Sequence, residues 1–104
     1  MDTNAILPKE ISTKKMSDFV QRILDDLSAS ERIKMTYLGV QLGLYKAMAF
    51  TGSITVGELA RRTRAKVRLV KKWLQHQAAE GFVSHEPDSD TYALPIEHAI
   101  ALTD

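Results

Sequence analysis

Cysteine is absent from the 104-residue chain. Its absence excludes a disulfide framework and any thiolate metal site, and it fits a reducing compartment. No apolar run approaches the roughly 20 residues needed to span a bilayer, and no apolar leader follows Met1. These features predict a soluble cytoplasmic protein with no membrane partner. None of the five glycines forms a G-x-G pattern, so the loop that would admit a nucleotide cofactor is missing. The three histidines, His76, His85 and His98, include no i, i+4 pair, which speaks against a metal centre. No Ser-His-Asp or Cys-His spacing supports nucleophilic catalysis, and the paired Asp25 and Asp26 fall on the polar side of a helix. The expected catalytic, cofactor-binding and metal residues are therefore none.

Positive charge is missing from the last third of the chain. Residues 73 to 104 carry six acids and no Lys or Arg, whereas residues 61 to 72, RRTRAKVRLVKK, carry seven bases and no acid. Residues 1 to 60 balance seven of each, so the formal net charge of +1 conceals strong segregation.

A chain of this length, 44% hydrophobic and 26% charged, suffices for one compact domain and not for two. Residues 1 to 15 show no period around Pro8 and read as a flexible N-terminal arm, leaving residues 16 to 104 as a single domain. Met16, Phe19, Val20, Ile23, Leu24 and Leu27 make one helical stripe. Ser28 with Glu31 then reads as a capping box that opens a second helix, Glu31 to Phe50. That helix has two apolar stripes, Ile33, Tyr37, Val40, Leu44 and Met48 on one side and Met35, Leu38, Leu42, Tyr45 and Ala49 on another. One stripe can serve the chain's own core; the other needs the first helix or a second subunit to cover it. Gly39 and Gly43 each cost about 1 kcal/mol of helix propensity relative to Ala, and close helix approach is the usual compensation.

Gly52 is expected to end the second helix, with Ser53-Ile54-Thr55 extended beyond it. Thr55 and Glu58 form a capping box for a short helix through about Arg62, followed by a turn near residues 63 to 65. A helix from about Lys66 to Glu80 turns Val67, Val70, Trp73, Leu74, Gln77 and Ala78 inward, with Arg68, Lys71, Lys72 and Gln75 opposite. Gly81 stops it, a hairpin with its turn at residues 87 to 90 follows, and Pro95 opens a last helix, Ile96 to Leu102. The predicted class is mainly α with a small β-hairpin: a winged helix-turn-helix preceded by one or two dimerisation helices.

Several pieces of the chain taken in order also carry a resemblance: Leu42-Gly43-Leu44-Tyr45, Thr55 with Glu58-Leu59-Ala60 and Arg62-Thr63, Trp73-Leu74 with Gln77-Ala78-Ala79 and Gly81, and Leu94-Pro95-Ile96-Glu97-His98-Ala99. From Leu42 to Leu102 the sequence resembles the N-terminal winged-helix domain of bacterial S-adenosylmethionine-dependent methyltransferases. The resemblance implies a non-catalytic domain that dimerises and helps to close the substrate pocket of a catalytic domain, supplied in cis or in trans. It also implies S-adenosylmethionine as cofactor only where such a downstream domain exists. The chain departs from that pattern at Arg64, where the family usually has Gly, and at Lys72, where it commonly has an acid.

Two interfaces are thus expected. Phe19, Ile23, Met35, Leu38, Leu42 and Tyr45 are the candidate dimerisation residues of a homodimer. Arg64, Lys66, Arg68, Lys71, Lys72 and Gln75 are the candidate nucleic-acid contacts of the alternative, a DNA-binding regulator that reads the major groove with helix 66 to 80. The acidic turn, Glu86, Asp88 and Asp90, opposes that alternative, because a DNA-binding wing ordinarily offers bases to the phosphates. Trp73 and Tyr92 are expected in the core, and His98 in a local hydrogen bond or a packing role.

Overall fold

The computed structural model describes residues 12–103; the greater part of the expected N-terminal arm lies outside them. In chain order the elements are α1 (Thr13–Gln41), α2 (Leu44–Met48), α3 (Val56–Thr63), α4 (Val67–Ala79), β1 (Ser84–Glu86), β2 (Thr91–Ala93) and α5 (Ile96–Thr103). The chain separates into two units, Met1–Glu31 and Arg32–Asp104, and the second contains the whole buried core.

The expected boundary at Ser28–Glu31 is not observed: α1 passes through it without a break. Residues 28 to 31 contain neither Gly nor Pro, and Ser28 and Ser30 each weaken a helix by only a fraction of about 1 kcal/mol, too little to end it. The break falls at Gly43 instead, which is left-handed with φ 70° and ψ 22°. A 29-residue helix and a one-turn helix thus replace the two helices expected, and Gly52, though left-handed at φ 73°, lies beyond the end of α2.

Helices α3 and α4 form the helix-turn-helix. Thr55 Oγ1 accepts the Glu58 N–H at 3.1 Å, as the capping pattern requires. The Glu58 carboxylate does not complete a reciprocal box; it takes Arg61 at 2.5 Å and Arg62 at 3.0 Å. The turn between the helices places Arg64 at φ 58°, a left-handed conformation that costs a side-chain-bearing residue about 1–2 kcal/mol. β1 and β2 pair antiparallel with His85 opposite Tyr92. Ile54 adds a single bridge to Tyr92, its N–H and C=O each 2.8 Å from their partners, so the extended stretch before α3 is anchored to the wing.

The core collects Leu44, Tyr45 and Met48 from α2, Leu59 and Ala60 from α3, Val70, Trp73 and Leu74 from α4, and Val83, Tyr92, Leu94 and Ala99 from the C-terminal part. Trp73 is fully enclosed; its indole N–H donates to the Met35 carbonyl at 2.9 Å, and its ring meets Tyr45 edge-on at 4.9 Å. Gly39 faces these two rings: a Cβ there would stand 2.5 Å from atoms of both Trp73 and Tyr45. The close approach inferred for the glycine pair therefore holds for Gly39, whereas Gly43 meets nothing and serves the chain reversal.

Candidate functional site

The two faces expected to bind partners are placed differently from one another. In the apolar set, Tyr45 is 1% exposed and belongs to the chain's own core, with Met35 and Leu38 partly buried against it. This corrects the expected assignment of stripes: the break at Gly43 rotates α2, so Tyr45 turns inward together with Leu44 and Met48. Leu42 stands at the margin of exposure. The stripe left uncovered in the second unit is Ile33, 70% exposed, Tyr37, 65% exposed, and Val40, which share one face of α1 at positions i, i+4 and i+7. In the first unit, Phe19 and Ile23 are exposed together with Met16, Val20, Leu24 and Leu27.

Phe50 is a residue the sequence reading missed as a surface feature. It is 68% exposed and left-handed at φ 60°, an uncommon conformation for a bulky side chain. Only the position of the helix end, set by tertiary packing, turns it outward.

The basic segment divides into two groups. Arg61 and Arg62 are held by Glu58, and Arg62 also approaches the Ala47 carbonyl at 3.5 Å. Hydrogen bonds from Arg61 and then Arg62 hold the Glu58 carboxyl below the usual carboxylate range. By contrast, Arg64, Lys66, Arg68, Lys71 and Lys72 are exposed, and none has an acidic partner within 4.0 Å among the described residues. Gln75 is exposed on the same helix, with Trp73, Leu74 and Gln77 buried behind it. All six candidate contact residues are therefore presented to solvent by the turn and by α4.

The wing is acidic where it projects. Glu86 and Asp88 have no basic partner among the described residues, and the Asp90 carboxylate lies 2.9 Å from His85 Nε2. The His85 ring stacks on Tyr92 with centroids 4.4 Å apart. His98 Nδ1 meets the Phe82 carbonyl at 2.7 Å, the local role expected of it, and because a carbonyl only accepts, this nitrogen carries the proton. A shallow cleft of about 320 Å³ lies between the Gly81–Phe82 turn and α5, lined in part by His98 and Leu102. Among the described residues no group of three His, Cys, Asp or Glu side chains could hold a metal ion, and no helix is long and apolar enough to cross a membrane.

The arrangement of two helices across a tight turn, followed by a two-stranded wing and a closing helix, matches a known domain over residues 29–104, the Rv2258c-like winged HTH domain. The chain belongs to this family. The fold recurs in solved structures. The mitomycin 7-O-methyltransferase MmcR is similar with a TM-score of 0.75 at 22% identity, covering 89% of this chain and 27% of that one. A putative O-methyltransferase from Nostoc punctiforme PCC 73102 is similar with a TM-score of 0.67 at 18% identity, covering 76% of this chain and 23% of that one. The chain thus spans about a quarter of the length of these two proteins. No match is found among curated proteins. The winged-helix architecture expected from the sequence, and its likeness to a domain of methyltransferases, are both observed.

Proposed function

We propose that this Rv2258c-like winged HTH domain is a non-catalytic association module of an S-adenosylmethionine-dependent O-methyltransferase, pairing with a second copy and helping to close the substrate pocket of a catalytic domain. The observation that carries the reading is the uncovered apolar face of α1, above all Ile33, Tyr37 and Val40, in a fold that two O-methyltransferases also contain. Large apolar side chains grouped on one helix face of so small a domain are stabilised when a second surface removes them from water. Cofactor affinity is assigned to the catalytic domain and not to this chain, whose sequence has no glycine loop for the nucleotide portion.

Sedimentation equilibrium tests the pairing. The wild-type chain should sediment as a dimer, and Ile33→Glu with Tyr37→Glu should yield a folded monomer, since neither side chain serves the core. A wild-type chain that remains monomeric at high micromolar concentration would rule the reading out. Leu38 is a poorer site for this test, because its partial burial against the core would couple association to folding.

One observation favours the alternative, DNA binding: five bases on the turn and α4 have no acidic partner among the described residues. If all five docked on phosphates, log affinity for duplex DNA would fall with log salt at a slope of about −4 to −5. The acidic wing opposes such docking, so binding should be weak, confined to low salt and indifferent to sequence. Submicromolar, sequence-dependent binding at physiological salt, lost in Lys71→Glu with Lys72→Glu, would make the regulator reading correct.

A further inference from the structure

Arg64, Lys66, Arg68, Lys71 and Lys72 sit in the same folded unit as the acidic wing, yet no ion pair joins the two among the described residues. Glu58 pairs with both Arg61 and Arg62 and offsets one of their two charges, so the bases without an acidic partner among the described residues are Arg64, Lys66, Arg68, Lys71 and Lys72. The wing projects the opposite charge from a short, exposed hairpin, with Glu86 on β1 and Asp88 in the turn. Each copy therefore presents two exposed patches of opposite sign, and neither is compensated by the other in the same chain.

We infer that the basic face of α4 is a docking surface for the acidic wing of a second copy of this chain. Charge complementarity selects this occupant: the tip offers carboxylates and, from residue 73 onward, no Lys or Arg to repel the helix. The same acids count against a polyanion, because a duplex seated on α4 would bring its phosphates toward a wing of like charge. The contact joins unlike patches, so pairing one wing with one helix leaves a free wing and a free helix unless the two copies pair reciprocally. It is distinct from the apolar pairing of α1, since it uses other residues and depends on ionic strength. Exposed ion pairs are individually weak and screened, so the contact forms at low salt and weakens as the Debye length shrinks from about 30 Å at 0.01 M to about 8 Å at 0.15 M.

Zero-length carbodiimide coupling of a mixture of isotopically heavy and light full chains reads this contact whatever the stoichiometry. At about 10 mM salt, heavy–light cross-links should join Lys71 or Lys72 to Glu86 or Asp88, and they should fall at least about tenfold at 0.5 M salt, where the Debye length is only a few ångströms. Lys71→Glu/Lys72→Glu alone and Glu86→Lys/Asp88→Lys alone should each lose these cross-links with an unchanged circular dichroism spectrum. Mixing the two variants should restore them between the native Lys71 or Lys72 of the wing variant and the native Glu86 or Asp88 of the helix variant, and should add products that join the new acids on α4 of the helix variant to the new lysines on the wing of the other. Absence of heavy–light products at low salt, their survival at high salt, or failure of the mixture to restore them each overturns the inference. Submicromolar capture of a duplex by the wild-type chain at physiological salt overturns it as well, with nucleic acid as the occupant of α4. Loss of the α1 dimer in Ile33→Glu/Tyr37→Glu leaves these cross-links in place, so the two contacts fail separately.

Discussion

At the scale of single residues, the positions that depart from local preference are the most informative. Arg64 occupies a left-handed turn where glycine carries no Cβ penalty, and its side chain is exposed, so Arg64→Gly should raise unfolding stability by about 1 kcal/mol. Urea denaturation read at constant m-value measures it. Gly39 is the reverse case. An added methyl gains helix propensity but must displace the rings of Trp73 and Tyr45, which are fixed on all sides, so Gly39→Ala should destabilise by about 1–2 kcal/mol. Tyr45 donates its hydroxyl proton to Gln77, and burial pushes its phenol above the usual 10.0. A phenol whose folded pKa is raised contributes stability that is fully present below the unfolded value and is lost as pH rises through the folded one. The chain should thus lose stability above about pH 10, and Tyr45→Phe should flatten that alkaline limb while costing about 1–3 kcal/mol at neutral pH, because Gln77 Oε1 is left buried without its donor. Equilibrium unfolding from pH 7 to 11 in both proteins measures it. The sequence already marks Arg64, which stands where the resembled family usually has Gly, and Gly39, whose helix cost implies close approach; the Tyr45–Gln77 pair is not legible there, because Gln77 reads as a polar residue on an apolar face.

At the scale of elements, periodicity identified the helices, and capping chemistry located their ends only where the cap was made. Thr55 and Gly81 mark true ends. Ser28 and Glu31 carry the same residue types as a capping box but lie inside α1, because a cap pattern competes with continued helix hydrogen bonding and no residue there breaks the helix. The continuity is testable with Ala29→Pro. Were Ser28 a cap, residue 29 would be a first-turn position where proline is tolerated; within a continuous helix it should cost about 3 kcal/mol locally. Far-UV circular dichroism should therefore show a clear loss of helix in the variant. The basic face of α4 was legible residue by residue, since a 3.6-residue period separates Arg68, Lys71, Lys72 and Gln75 from Trp73 and Leu74. The pairing of Glu58 with Arg61 and Arg62, at i+3 and i+4 within α3, went unread although helical spacing offers it.

At the scale of the whole molecule, association is the property most exposed to test. The chain is expected to show no saturable binding of S-adenosylmethionine by calorimetric titration, and micromolar affinity would contradict the assignment of that cofactor to a separate catalytic domain. The order of elements and the burial of Trp73 and Tyr92 were determined by the sequence itself, because hydrophobic period and turn chemistry are properties of neighbours along the chain. The tertiary structure decided which apolar stripe is spent inward. Two stripes of equal hydrophobicity are indistinguishable along a helix. Only the left-handed turn at Gly43, with Trp73 and Tyr45 closing on Gly39, commits Met35, Leu38 and Tyr45 to the core and leaves Ile33, Tyr37 and Val40 in water. The physical reason is that burial depends on what stands opposite a side chain in space, and for Tyr45 that is Trp73 and Gln77, residues roughly thirty positions away.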